Sequence, residues 1–296
     1  MDVSKQPLPA MGFSQSTPSV EKRGYLKESQ QPIYSALIVL PFLLVYEIGV
    51  VLLRSDVING GQAIIKQLGA PVVRNLGVSG SLISLVFIVA AFLVWQIRRK
   101  GTWKVQAPVL AAMCIESLFF AVILFLILRL FVHYVSDDLR PVPVKRHASM
   151  QNSVDHADSA RGSAVSADAK LMPCAVRSNV EAGPELRDFV LYCGAGVYEE
   201  LVFRVLLLGL LVLVLTRLMH MEHAYAWAWA VLAGSIIFSA YHHLGEKGDH
   251  YEFNVFLQRL LCGLYFSALY YTRSFGVAAA SHAMYDILIG LNRLNP

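Results

Sequence analysis

The stretch VYEELVFRVLLLGLL, Val197–Leu211, places two adjacent carboxylates and an arginine inside a run that is otherwise almost wholly apolar. Apolar runs of about 20 residues are long enough to cross a hydrocarbon core as helices. An ionisable group at the centre of such a helix costs about 2.5–3.5 kcal/mol on the insertion scale. Glu199, Glu200 and Arg204 therefore require an explanation that lipid-facing packing does not provide.

The composition of the whole chain is that of a membrane protein. Of its 296 residues, 56% are hydrophobic and only 16% are charged, and the mean hydropathy is +0.52. These values exclude an ordinary soluble globular domain. We expect an all-α fold, a polytopic transmembrane helical bundle of about seven or eight spans. Seven candidate spans lie at 33–53, 80–97, 107–134, 188–216, 224–243, 253–272 and 275–292, and an eighth is possible in 55–79.

Four regions follow from the distribution of polar and apolar residues. We expect a polar N-terminal tail at 1–31, N-terminal transmembrane helices at 32–134, a flexible polar loop at 135–186 and a helical core at 187–296. The loop is rich in Ser, Ala and Asp and has no amphipathic period, as is typical of disordered segments. No internal repeat is visible, which argues against an inverted-repeat transporter.

Helical spacing sorts the charged groups of the core into pairs. Glu200 and Arg204 are four residues apart, so they share a helix face and can neutralise each other. Glu199 is rotated by about 100° from Glu200, and no cation follows it at three or four residues. It therefore needs a partner on another helix, or it is protonated. His282 and Asp286 are also four apart, so the aspartate can fix the orientation of the imidazole ring.

The expected topology brings these groups together. The fourth and fifth spans run in opposite directions, so His242, at the end of the fifth, lies towards the same face as Glu199. The seventh span runs back to that face and carries His282 and Asp286. Such a set in a water-accessible cavity can activate a water molecule and stabilise a tetrahedral oxyanion, which is the chemistry of a hydrolase. His243 is a supporting residue beside His242.

Three motifs in the core resemble those of a known family. The patterns Glu-Glu-x-x-x-Arg, Phe-x-x-x-His and His-x-x-x-Asn/Asp occur at Glu199–Arg204, Phe238–His242 and His282–Asp286. In this order, on apolar spans, they resemble the CPBP intramembrane proteases. That family includes the type II CAAX prenyl endopeptidases and bacteriocin-processing or immunity-related membrane proteases. The resemblance covers residues from about 187 to 293.

The resemblance implies a role for each motif residue. Glu199 and His242 would activate the attacking water, His282 and Asp286 would stabilise the oxyanion, and Glu200 with Arg204 would hold the site together. The prenyl endopeptidases carry Asn at the last motif position, where the amide can donate a hydrogen bond. Asp286 donates only when it is protonated, so here it can orient His282 instead. This difference weakens any transfer of prenyl specificity.

The resemblance also sets expectations for cofactors and partners. We expect no cofactor, because the HExxH motif is absent and a carboxylate–histidine set can activate water unaided. If zinc is bound, its ligands would be Glu199, His242 and His282. The expected partners are a peptide or membrane-protein substrate and the lipid bilayer, and no nucleic acid is expected. The sequence does not predict an oligomeric state. The expected location is the cytoplasmic membrane of a bacterium.

Two other functions use the same polar groups. In a proton-coupled transporter, Glu199, His242, His282 and Asp286 would form a proton relay. A non-catalytic membrane scaffold would keep the fold without the reaction. Outside the motifs, Glu47 and Glu116 also lie within spans, where we favour structural contacts between helices, and Arg259 is a candidate partner for either acid.

Overall fold

The computed structural model describes residues 24–53, 60–67, 83–138, 184–244 and 248–294. All regular secondary structure in these residues is helical, which confirms the all-α prediction for this part of the chain. Most of the predicted N-terminal tail and most of the predicted loop at 135–186 lie outside the described residues. The helices, in chain order, are α1 Tyr25–Ser29, α2 Pro32–Leu52, α3 60–67, α4 Ile83–Arg99, α5 Ala107–Asp138, α6 Pro184–Glu200, a π-helix Leu201–Leu207, α7 Leu208–Arg217, α8 His223–Tyr241, α9 Phe253–Thr272 and α10 Phe275–Leu294.

Three of the described helices are long and apolar enough to cross a membrane. Judged by length and composition alone, these are Pro32–Leu52, Ala107–Tyr134 and His223–Tyr241. A total of seven or eight spans therefore stays a prediction. Of the possible eighth span in 55–79, the structure describes only α3, and the other residues of this range lie outside the described part of the chain.

Two contacts show that α2 and α4 run in opposite directions. The backbone N–H of Ile33 donates to Gln96 Oε1 at 3.1 Å, while Ser84 Oγ donates to Glu47 Oε1 at 2.9 Å. The start of α2 therefore lies beside the end of α4, and the end of α2 lies beside the start of α4. As a result, α3 lies towards the end of the bundle at which α2 finishes.

The last helix, α10, occupies the middle of the bundle and contacts α2, α5, α6 and α9. Its first half contains small residues that are fully buried, among them Ala278, Ala279, Ala280 and Ala283. Small residues let helix backbones approach closely, which is the common packing device of membrane helices. A Cβ added at Gly196 of α6 would lie 2.4 Å from the backbone nitrogen of Ala283. This close approach sets the register between α6 and α10, the helices that carry most of the motif residues.

Candidate active site

The structure brings the six residues of the three motifs into one buried region. They come from the end of α6, the π-helix, the end of α8 and the middle of α10. Each is exposed by 3% or less: Glu199, Glu200, Arg204, His242, His282 and Asp286. Motif residues from helices that are distant in the sequence therefore lie close together, as the expected topology predicts.

A π-helix follows directly after the two glutamates. It spans Leu201–Leu207 and includes Arg204. In a π-helix the hydrogen bonds run from i to i+5, so the turn is wider than an α-turn, and such segments are frequent at functional sites. The wide turn still leaves Glu200 Oε2 at 3.1 Å from Arg204 Nε, so the predicted ion pair is present. The apolar residues around Arg204 carry no pattern from which a π-helix is predicted.

Glu199 and His242 face each other across the gap between α6 and α8. Glu199 Oε2 lies 3.6 Å from His242 Nε2. The other ring nitrogen, Nδ1, lies 2.8 Å from the backbone oxygen of Phe238. A carbonyl oxygen only accepts hydrogen bonds, so Nδ1 must carry the proton. In the neutral ring, Nε2 then presents its lone pair towards the carboxylate of Glu199.

His282 lies between two carboxylates. Its Nδ1 is 2.8 Å from Glu200 Oε1, and its Nε2 is 3.6 Å from Asp286 Oδ2. The spacing on α10 predicts that Asp286 orients this ring, whereas the shorter contact is made by Glu200. Glu200 therefore contacts Arg204 with one oxygen and His282 with the other. It links α6 to α10 and is more than the intrahelical partner of an arginine.

Aromatic rings fix both histidines. Phe266 of α9 stacks on His282, with centroids 4.4 Å apart and planes 17° apart. Phe238 meets the ring of His242 edge-on at 4.8 Å, and the guanidinium of Arg204 lies 4.6 Å from the centroid of Phe238. Phe266 was not identified from the sequence, because one phenylalanine in an apolar helix is indistinguishable from ordinary core.

His243, the predicted supporting residue, makes its contacts in the connection between α8 and α9. Its Nδ1 lies 3.2 Å from the backbone oxygen of Asp249. Its ring packs against Tyr251 and Phe256, with centroids 5.3 and 6.2 Å away. The adjacent residue His242 is the one that faces Glu199, as the motif spacing predicts.

A second buried polar cluster supports the site from the N-terminal helices. Glu47 Oε1 accepts hydrogen bonds from Gln62 Nε2 at 3.0 Å, from Ser84 Oγ at 2.9 Å and from the hydroxyl of Tyr198. Tyr198 directly precedes Glu199, so these contacts anchor the site end of α6 to α2, α3 and α4. They agree with the structural interpretation of Glu47. Gln62, Ser84 and Tyr198 were not identified from the sequence.

Helix α3 also packs directly against the backbone beside Glu199. A Cβ added at Gly61 would lie 2.8 Å from the carbonyl carbon of Tyr198 and 2.9 Å from the backbone nitrogen of Glu199. Real Cβ atoms essentially never show distances this short. Gly61 therefore permits an approach that other residues would prevent.

The prediction that Arg259 pairs with Glu47 or Glu116 is wrong. Arg259 pairs with Asp249, which lies in the α8–α9 connection just ahead of α9. Glu116 instead takes Arg273, with Nε–Oε1 and Nη2–Oε2 distances of 2.5 and 2.6 Å. Arg259 lies near the start of α9 and Arg273 directly after its end, so only the second reaches Glu116 of α5. Glu116 also accepts from the hydroxyl of Tyr25. Burial, followed by this hydrogen bond, raises the pKa of Tyr25 to about 12.

The residues named as candidate zinc ligands do not fit a zinc site. Both nitrogens of His282 are directed at carboxylates, Nδ1 at Glu200 and Nε2 at Asp286. A zinc ligand needs a nitrogen lone pair directed at the ion. Among the residues that the structure describes, no group of three or more His, Cys, Asp or Glu side chains is arranged to hold a metal ion.

Comparison with known proteins agrees with the motifs. Residues 186–288 match the family model described as Type II CAAX prenyl endopeptidase Rce1-like. The matched segment is about a third of the chain and contains all three motifs. It confirms the resemblance to the CPBP and CAAX proteases. No curated protein and no solved structure matches the chain.

Proposed function

We propose that this chain, whose residues 186–288 match the Rce1-like CAAX endopeptidases, is an integral membrane endopeptidase in which Glu199 and His242 activate the attacking water. The family match and the apolar helices support a membrane peptidase with a peptide or protein substrate. The observation that carries the mechanism is the buried pair of Glu199 Oε2 and His242 Nε2, 3.6 Å apart. Location in the cytoplasmic membrane of a bacterium stays a prediction.

The pair is suited to holding a water molecule. With Nδ1 of His242 donating to Phe238 O, Nε2 and the Glu199 carboxylate are both acceptors. Two acceptors at 3.6 Å are too far apart for a direct hydrogen bond, and they cannot share a proton without a donor between them. Water supplies two O–H donors and keeps its lone pairs for attack. As its oxygen bonds to the carbonyl carbon, the carboxylate takes one proton and later delivers it to the departing amine as the C–N bond breaks.

The second histidine is suited to binding the oxyanion. Glu200 and Asp286 bring two negative charges to His282, and Arg204 brings one positive charge. A protonated His282 makes this buried group neutral, which the low dielectric favours. Its Nδ1–H then donates to Glu200, and its Nε2–H, which lies 3.6 Å from Asp286 Oδ2, can donate to the developing oxyanion. The negative charge of Asp286 stabilises the imidazolium ring.

The position of His242 supports cleavage near the membrane surface. It follows the last residue of α8, and exposed aromatic side chains lie in the connection after it and at the first residue of α9. Tyr251 is 57% exposed and Phe253 is 64% exposed. Exposed aromatics at a helix end are typical of the membrane–water interface. These aromatics support a position of His242 close to the membrane–water interface.

Replacement of Glu199 tests the proposal. Glu199→Gln keeps the shape of the side chain and removes the base, so cleavage should fall by at least ~10²-fold, the usual contribution of general base catalysis. The measurement compares the peptides released in cells that carry wild-type or variant protein at equal levels in the membrane. Glu222→Gln is the matched control, because Glu222 is exposed at the turn before α8.

Two outcomes would contradict the mechanism. Full activity of Glu199→Gln would remove Glu199 from the reaction. Loss of wild-type cleavage in a divalent-metal chelator, with recovery on adding zinc, would replace water activation by side chains with water activation by a metal ion. We expect chelation to leave the rate unchanged.

A further inference from the structure

A groove between α2 and α4 takes no part in the reaction above. It has a volume of about 510 Å³ and is lined by side chains from 33–43 of α2 and 88–96 of α4. Every lining residue except Gln96 is apolar. Val89 and Leu93 on its α4 side are 38% and 45% exposed, so the groove opens on the flank of the bundle. In a membrane protein that flank faces lipid.

The groove has the depth of one leaflet of a bilayer. It begins where the start of α2 meets the end of α4, at the hydrogen bond from Ile33 N–H to Gln96 Oε1. With a rise of 1.5 Å per residue, the lining of α2 from 33 to 43 spans about 15 Å. This is half of the roughly 30 Å hydrocarbon core of a membrane. An acyl chain that enters at the headgroup level therefore matches the groove in length as well as in polarity.

A basic cluster lies at the mouth of this groove. Its four exposed members are Arg98, Arg99, Lys100 and Lys104. In the part of the chain that the structure describes, none of these side chains forms an ion pair. Gln96 Nε2 donates to the backbone oxygen of Thr102 at 3.0 Å, so the segment after α4 folds back beside the groove mouth. The positive charge therefore stays at the level where lipid phosphates lie.

Two aromatic rings connect the cluster to the groove. The guanidinium of Arg99 lies 5.8 Å from the ring centroid of Trp95, and Trp95 stacks on Phe92 with centroids 6.1 Å apart. Phe92, Gln96 and Arg99 occur at i, i+4 and i+7, so the cation lies on the helix face that lines the groove. The ring contact uses the flat face of the guanidinium, whereas its N–H donors point outward in the plane and suit phosphate oxygens.

We propose that the groove between α2 and α4 binds one molecule of an anionic phospholipid. Its acyl chain lies between the two helices, and its phosphate is bound by Arg99 and Lys100. A zwitterionic lipid is a poorer ligand, because its ammonium group is repelled by the basic cluster. Ser84 of α4 bonds Glu47 of α2 at 2.9 Å, so a lipid that holds the two helices together also stabilises the cluster behind Glu199.

The test counts lipids bound to the full-length protein in detergent by native mass spectrometry. Phosphatidylglycerol and phosphatidylcholine with the same acyl chains are titrated separately. We expect one phosphatidylglycerol to bind more tightly than phosphatidylcholine, and Arg99→Gln to weaken it about fivefold, the usual effect of one cation near a membrane surface. Arg217→Gln is the matched control, since Arg217 is exposed at the end of α7 and should leave binding unchanged. Equal binding of the two lipids by wild type would overturn the proposal.

A second pair of variants tests the groove itself. Ala36→Phe fills it from α2 and should weaken phosphatidylglycerol binding by about tenfold or more, as expected when an apolar chain loses its buried surface. Ala111→Phe adds the same ring at an exposed position of α5 and should have no effect. Leu93→Gln, on the exposed side of the groove, serves if Ala36→Phe does not fold.

Three results of this second test would overturn the proposal. Unchanged binding of phosphatidylglycerol by the groove variants would show that the acyl chain lies elsewhere. Displacement of phosphatidylglycerol by soluble glycerol phosphate would show that the basic cluster binds a free phosphate ester without the groove. A dimer that forms without added lipid and dissociates in Ala36→Phe would assign the groove to a second copy of the chain.

Discussion

Glu200 contributes both to the stability of the protein and to the proposed reaction, so we expect Glu200→Gln to impair both. The change leaves Arg204 buried without its ion-pair partner at 3.1 Å, and it replaces the carboxylate that lies 2.8 Å from His282 Nδ1. Breaking a buried pair by removing one partner costs ~3–5 kcal/mol. That is a large share of the ~5–15 kcal/mol that holds a typical domain folded. The rings of Phe238 and Phe266, 4.6 and 5.7 Å from the guanidinium, recover only part of the loss.

The assay is thermal unfolding of purified protein in detergent, read by tryptophan fluorescence, together with cleavage of the same samples. Glu200→Gln should unfold at a clearly lower temperature. Glu200→Gln combined with Arg204→Met removes both charges, so it should recover most of the stability. The double variant should still lack activity, because a neutral amide in place of the Glu200 carboxylate no longer stabilises the positive charge of His282. An unfolding temperature of Glu200→Gln within one degree of wild type would refute the reasoning, as would full activity of the double variant.

Three further predictions concern the support of the site. Gly61→Ala should destabilise the protein by ~1–3 kcal/mol through overpacking and should lower kcat. Gly209→Ala is the control and should change neither, because nothing lies within 4 Å of the added Cβ. Equal behaviour of the two variants in unfolding and cleavage assays would contradict the close packing of α3 on α6. Glu47→Leu removes the acceptor of three buried donors, so it should cost ~1–3 kcal/mol for each donor left unsatisfied. Glu47→Gln keeps an acceptor and should cost less. A lower unfolding temperature for Glu47→Gln than for Glu47→Leu would contradict the hydrogen bonds assigned to Glu47. Tyr25 has a pKa raised from 10.0 to about 12 by burial and by Glu116, so its contribution to stability is complete below pH 10 and is lost as the pH rises to 12. In Tyr25→Phe, the free energy of unfolding should therefore depend less on pH between 10 and 12 than in wild type. An unchanged pH dependence over that interval would contradict the prediction.

The motif residues could be located from the sequence because charge is rare in apolar helices. Any ionisable group within a span requires a reason, so Glu199, His242 and His282 stand out without a structure. The same argument fails for Phe266, which is one apolar residue among many. It also fails for Gln62 and Ser84, since single uncharged polar residues occur throughout the chain and few of them contact a site. Spacing pairs residues on one helix, as for Glu200 and Arg204, but it carries no information about a partner on another helix.

The sequence by itself determined the helical fold of the described residues, the three motifs and the ion pair of Glu200 with Arg204, because these depend on local periodicity and on the cost of burying charge. Only the tertiary structure decided that Glu200 also contacts His282, that Arg259 takes Asp249, and that α3 lies against the backbone beside Glu199. These contacts depend on how far each helix is rotated and shifted against its neighbours. Close approaches such as that of Gly196 to α10 set those shifts, and they arise from packing across the whole bundle.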